Sequence, residues 1–589
     1  MLVATYPSWK EIFGRRPTEE ELLSEIKTLD RLHTIWLLAR INILVKLSMS
    51  RAELLSIPDL QTFLVNMLID EPLFQDLKRR YGREHLSVRQ PFHSLQILTL
   101  MKKVALDGAR AGGQRPDEEQ QAAHRLGRCL IMTNDLLFSE ESSRAIQSAR
   151  PSTARKRIAL QLQVGPGLEV NNPPEIASSI VRSNILFGEL LGKVPCSLDI
   201  AGLFKQRTGL ALEEYVDRIF GVMAWYTTVN PRELIEKSEL ASLSMSNFFA
   251  EAPKEATEKF WHLEVTTVDD LECILRKPSG LKPQHNFIPL RQRPFIQVAE
   301  NNVVPVHVGF IQEKLEAGLF WRIFNSLKKD EERERFFSDW GLLFQEYISR
   351  IFSQSFARSP EQFYAFPKFA DNGDEAFDGV VAFKNYWFVM EYKGGFIKSI
   401  AKYAEKEDEF IKEIERKFGN EKRAGMEQLA RKVGAVFAAK PSQRRILNGI
   451  DSSPAAVVVP MLITQEPFAS SEIIGPYLAS IFGSLKRKQQ ISPKINCTPP
   501  LILDVSEVER LKPYLQAGKV SFMDCIMERV RLGSQVHLSF GDYFREYRKE
   551  RSIGSMQDED TMNHFRSIMN RVTERFFKKP RSLAHEAKV

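Results

Sequence analysis

FDGVVAFKNYWFVMEYKGG, residues 377 to 395, decides how the chain folds around it. VVAF and YWFVM are β-branched and aromatic runs separated by Lys384 and Asn385, the pattern of two strands joined by a two-residue turn, which Asn tolerates because it can adopt positive φ. If that turn forms, Phe383 faces Tyr386 and Asp378 falls directly opposite Glu391, with Cβ atoms about 5 Å apart. Glu391 and Lys393 are two residues apart and leave the same face of their strand, while Tyr392 leaves the other. Three charged groups therefore converge in an apolar stretch. Like charges directly opposite one another are destabilising, and burying unpaired carboxylates is costly, so the arrangement calls for a compensating cation. A hard divalent metal such as Mg2+ suits oxygen ligands, and Lys393 could hold a water or a phosphate beside it. The plain alternative makes Asp378 a turn residue and leaves Glu391 and Lys393 as an exposed ion pair. The paired Asp, the apolar flanks and the Gly394-Gly395 exit weigh against it.

The elements on either side extend the pattern. FFSDWGLLFQEYISRIF reads as an amphipathic helix with Phe336, Trp340, Phe344, Tyr347 and Ile351 near one face. After the paired strands come helical stretches at about 400–418 and 421–439. AAVVVPMLIT then reads as a strand buried on both faces, followed by a helix near SEIIGPYLASIF and a shorter strand, PLILDV. The order helix, strands, helices, strand, helix, strand implies an α/β sandwich.

At these residues the chain resembles the PD-(D/E)xK nuclease superfamily, the fold of many restriction and recombination nucleases, over roughly residues 326–510. The resemblance implies a central mixed sheet flanked by helices and metal-dependent phosphodiester hydrolysis with Mg2+ or Mn2+. It makes Asp378 and Glu391 metal ligands and Lys393 the residue that positions or activates the attacking water. Many members add a glutamate from the first helix, for which Glu346 is the nearest candidate, and a glutamine from the next helix, for which Gln428 in AGMEQLARKV stands ready. One recombination-associated subgroup places a Tyr four residues after that Gln, where this chain has Lys432. The Pro of the superfamily's name is replaced by Phe377.

The rest of the chain sets the frame. At 589 residues it is long enough for three or four units, read here as a helical domain at 1–150, a helical domain with small β elements at 151–325, the nuclease-like domain at 326–530 and a basic helical tail at 531–589. TEEELLSEIKTL opens with Thr18 and Glu21 in capping-box spacing, and EEYVDRIFGVMAWY carries helical periodicity. The proline-rich stretch at 151–176 marks a boundary, and FIPLRQRPFIQVAENNVVPVHV suggests one or two hairpins. The net charge of +7 permits a nucleic-acid partner without demonstrating one. The tail, with 12 Lys or Arg against 8 Asp or Glu in 59 residues, is a candidate phosphate contact or a solvated surface helix. Five cysteines without a CxxC pair indicate neither a disulfide framework nor a zinc site, and fit a reducing cytoplasm. Arg40 and Lys46 interrupt the most apolar early run, so no export signal or membrane span is read.

GELLGKV at 188–194 has the wrong spacing for a phosphate loop, no HExxH or GxSxG occurs, and YWFVM reads as buried strand rather than as a base-stacking platform. The expected function is thus a metal-dependent deoxyribonuclease, endonucleolytic rather than exonucleolytic, with residues 1–325 as a sensor or a surface for a partner protein. A role in antiviral defence follows by analogy alone. Cutting both strands in one event would need two nuclease domains, which makes a homo-oligomer attractive. The competing expectation is a catalytically inactive nuclease-fold scaffold that binds nucleic acid or a protein.

Overall fold

The structure, a computed structural model, describes residues 7–82, 90–110, 116–137, 176–281, 286–403, 407–471, 473–533 and 539–577. The proline-rich boundary read at 151–176 lies, up to residue 175, outside the described residues, as does the end of the tail.

The N-terminal half is helical. The helix Glu19–Ile26 starts at Thr18, whose side chain accepts from the Glu21 N–H while Glu21 reaches back to the Thr18 N–H. The helix Arg31–Ser50 is long and apolar enough to cross a membrane by length and composition, yet 67% of its apolar window is buried inside the protein. Arg31 at its start pairs with Glu272 at 2.6 Å, and Lys46 is fully buried. A small four-stranded sheet, order β1-β4-β3-β2, completes this half: β1 (Leu243–Ser244), β2 (Val265–Thr266), β3 (Phe295–Ala299) and β4 (Asn302–Pro305). The hairpin expected near 287–308 is β3 with β4, and the residues just before it form the short helix Ile288–Gln292 instead of a second hairpin.

The second sheet holds β5 (Gln362–Ala365), β6 (Gly379–Phe383), β7 (Tyr386–Lys393), β8 (Val457–Thr464), β9 (Asn496–Cys497) and β10 (Leu501–Asp504). Its order is β10-β8-β7-β6-β5, with β9 also paired to β8. β10 and β7 run parallel to β8, while β6 and β5 are antiparallel neighbours, so the sheet is mixed. β8 is an interior strand buried on both faces, as its continuous apolar run implies. Pro460 lacks the N–H a ladder needs. It falls between the β9 pairing at Val457 and Val458 and the β10 pairing that starts at Met461.

Period-two alternation sorts the two faces of this sheet. Phe388, Met390 and Tyr392 of β7 join one apolar cluster, and Trp387 and Val389 join another. The first cluster runs from Leu22 to Phe576 and includes the buried stripe of the helix Asp330–Phe356, in which Phe336, Trp340, Phe344, Tyr347 and Ile351 are all buried. The second lies on the opposite face, under the helices Glu407–Phe418, Gly425–Val436 and Ile474–Lys488. Phe320 sits 5.2 Å from Phe336, 5.0 Å from Trp340 and 5.6 Å from Phe396, ring centre to ring centre, so the helical half and the sheet share aromatic packing.

Buried ion pairs join distant parts of the chain. Arg182, in the helix Ile176–Asn184, reaches Glu316 and Glu509 at 2.8 Å each. Glu509 also accepts from Tyr347 Oη at 2.6 Å. Glu316 accepts from Gln465 Nε2 at 3.1 Å, and Gln465 Oε1 accepts from Trp340 Nε1 and from the Gly395 N–H at 2.8 and 2.9 Å. In the tail helix Glu559–Phe576, Arg571 and Arg575 both pair with buried Asp217, at 2.8 and 2.5 Å. Part of the tail's positive charge is thereby paired with a buried carboxylate.

The helix Val505–Gln516 opens with a capping box in which Glu507 Oε2 accepts from the Asp504 N–H at 2.9 Å and Oε1 from the Gly541 N–H at 3.0 Å. Burial pushes the Glu507 carboxyl from 4.5 up to about 8. Below the lower value both the folded and unfolded chains hold the proton. Between the two, the unfolded chain releases a proton that the folded chain keeps, so stability falls as pH rises across that window. Urea midpoints measured from pH 5 to 9 should fall more steeply for the wild type than for Glu507→Gln.

Candidate active site

The hairpin of β6 and β7 turns at Lys384 and Asn385, and Phe383 faces Tyr386. The positive φ, 54°, falls on Lys384. The Asn385 carbonyl accepts from the Ala456 and Val457 N–H groups at 2.9 and 3.0 Å, which pins the tip to β8. Gly379 pairs with Met390 and is the last residue of the ladder. The Asp378 N–H donates to the same Met390 carbonyl at 3.0 Å, so Asp378 and Gly379 both sit against Met390 and the expected directly opposed pair of Asp378 and Glu391 is offset by one residue. Asp378 Oδ2 accepts from the Tyr392 N–H at 2.5 Å. Asp378 and Glu391 are each 1% exposed.

Gly379 is required beside them. A Cβ at this position would lie 2.3 Å from Tyr392 Oη and 2.9 Å from the Phe363 ring. Gly379→Ala should lower stability by about 1–3 kcal/mol through overpacking, read as a shifted urea midpoint at unchanged slope.

The helix Gly425–Val436 covers the carboxylate face. Its first residue packs so closely that a Cβ on Gly425 would sit 2.7 Å from Leu462 Cδ1 and 3.5 Å from Lys393 Cγ. Gln428 and Lys432, four apart, share one side of this helix. Gln428 Oε1 accepts from Lys393 Nζ. Lys393 Nζ also lies 2.9 Å from Glu391 Oε1, and Lys432 Nζ lies 2.9 Å from Glu391 Oε2. Lys432 Nζ is 3.8 Å from Asp378 Oδ1 and 4.0 Å from Glu375 Oε1. The cluster is thus Glu375, Asp378, Glu391, Lys393, Gln428 and Lys432.

Burial, then the adjacent Glu391 charge, raises the Asp378 carboxyl well above its ordinary value. Burial also works against the Glu391 carboxylate, but Lys393 and Lys432 outweigh it and hold that group below its ordinary value. Lys432 is raised because Glu391 and Asp378 overcome the burial that would neutralise it. The site therefore carries two carboxyls pushed in opposite directions.

Glu346 does not join the cluster. It is exposed on the helix Asp330–Phe356, whose buried stripe covers the opposite face of the sheet. Glu375 is the acid that approaches instead, and Lys432 is the cation. Lys432 had a signal in the sequence, since two buried carboxylates demand a positive partner and this lysine lies one helical turn beyond Gln428. Glu375 had none beyond lying three residues before Asp378.

A hard divalent cation fits the donor set in one respect: Asp378 Oδ1 is buried and has no hydrogen-bond partner, a carboxylate oxygen left over at the meeting point. Asp378 and Glu391 would hold such an ion, with water or phosphate oxygens completing its shell. Among the described residues no group of three or more His, Cys, Asp or Glu side chains is spaced to share a metal. A cavity of about 360 Å3, lined in part by Tyr347, Arg350, Arg510 and Arg548, lies away from these carboxylates. Comparison with protein-family models, curated proteins and solved structures yields no match for the chain.

Proposed function

We propose that the chain hydrolyses phosphodiester bonds in nucleic acid, DNA by default, using a divalent metal (Mg2+ or Mn2+) held by Asp378 and Glu391. The observation that carries this reading is the meeting of two buried carboxylates with Lys393 at the end of β7. When bound, the metal would stabilise charge on the phosphate oxygens and lower the pKa of a bound water. Lys393 is the more open of the two lysines, with 19% of its side chain exposed against 6% for Lys432. It can hold the attacking water or a phosphate oxygen, and Gln428 fixes its direction. In this reading residues 1–325 deliver substrate or bind a protein partner, and an antiviral role stays an analogy.

One observation favours a second reading, a catalytically inactive nuclease-fold scaffold that binds nucleic acid or a protein: both Glu391 oxygens are already taken by ammonium groups. Incubating plasmid, linear duplex, single-stranded DNA and RNA with Mg2+, Mn2+ or EDTA separates the two. Metal-dependent cutting of any substrate supports the nuclease. Binding without cutting, in every metal, supports the scaffold.

A further inference from the structure

We propose that Lys432 is a built-in counter-ion that competes with the divalent metal for Asp378 and Glu391, so that a metal enters only as this ammonium swings out towards Glu375. The proposal deepens the nuclease reading above and rests on it. Lys432 Nζ stands within 4.0 Å of three carboxylates, closest to Glu391 at 2.9 Å, and the other Glu391 oxygen is held by Lys393 at 2.9 Å. Two buried carboxylates are thus already matched by two ammonium groups. Adding a divalent ion to that set would leave an excess of positive charge, even with Glu375 counted, in a place where burial removes most of the screening that water and salt provide. One ammonium must therefore retreat.

Lys432 is the one able to do so without breaking the Lys393–Gln428 contact, because its own bonds are to carboxylates alone among the described contacts. Its flexible four-carbon stem allows the swing. Glu375, 37% exposed at its side chain, lies on the solvent side of the cluster and receives the displaced charge. The protein would then fold with its site electrically complete before any metal arrives, and metal affinity would be weaker than two facing carboxylates alone would give.

The test is Mn2+ binding to the full chain, by calorimetry without nucleic acid, for the wild type, Lys432→Met and Lys432→Arg. Lys432→Met should bind Mn2+ at least about tenfold more tightly than wild type, and Lys432→Arg, which keeps the charge, should bind no more tightly than wild type. In EDTA the melting temperature of Lys432→Met should fall, and Mn2+ should restore it, because the metal then supplies the missing cation. Should the methionine variant fail to fold, Lys432→Gln carries the same expectation. Binding by the neutral variants that is no tighter than wild type, whether both bind or neither does, overturns the proposal. Cleavage assays on the same proteins keep the two ideas apart. Tighter Mn2+ binding with no cutting by any variant would leave the counter-ion in place and remove the nuclease, whereas wild-type cutting with unchanged Mn2+ affinity would do the reverse.

Discussion

Asp378→Asn, Glu391→Gln and Lys393→Ala should each lower metal-dependent cleavage by roughly two to four orders of magnitude, the range expected when a group that stabilises charge or handles a proton at the reacting centre is lost. The three should differ in what they do to the fold. Asn in place of Asp378 keeps an acceptor for the Tyr392 N–H at nearly the same size and shape, so the fold should be retained. Glu391→Gln strips a partner from both lysines, leaving Lys432 buried with a weakened counter-charge, and should cost stability as well as activity. Lys393→Ala removes one of the two ammonium groups that hold the buried Glu391 carboxylate, and should cost less stability than Glu391→Gln because Lys432 still pairs with that carboxylate. Measuring kcat/KM on the substrate that the wild type cuts, beside a urea melt of each protein, separates chemistry from folding. Full activity in all three would end the nuclease reading.

The second large effect is on stability. Arg182→Met should lower the free energy of unfolding by about 3–5 kcal/mol, because it leaves Glu316 and Glu509 buried without their shared cation. Adding Glu316→Gln to Arg182→Met should recover part of that loss, since one of the stranded charges goes with it. A loss below about 1 kcal/mol for the single variant, at the level of an exposed pair, would mean that water reaches the network and that it does not hold the halves together.

How much of this was legible follows from which forces act locally. A two-residue turn between apolar runs fixes register, so the facing of Phe383 and Tyr386 could be read from the spacing of 377–395, while the one-residue offset at Asp378 could not. The buried stripe of the helix Asp330–Phe356 and the burial of β8 on both faces follow from period and composition in the same way. β5 escaped notice because it is a short edge strand with exposed and half-buried residues, lacking a clean alternation. β1, β2 and β9, two residues each, carry no pattern at all. Expecting Glu346 at the carboxylates rested on the resemblance alone, and its place just outside the apolar stripe fitted a solvated face as well as a ligand. The pairing of Arg571 and Arg575 with Asp217 is a contact across most of the chain, and nothing in the tail's composition distinguishes an arginine that meets phosphate from one that meets a buried aspartate.

The bonds that run from the Gly395 amide through Gln465 and Glu316 to Arg182, and on to Glu509 and Tyr347, have a consequence for how this protein can be taken apart. A fragment that began at residue 326 would lose Phe320 from its aromatic nest and both Glu316 and Arg182 from the far side of Gln465. It would begin life with an uncovered aromatic face and with Gln465, directly behind the loop that follows Lys393, deprived of Glu316. The sheet is therefore no transplantable cassette.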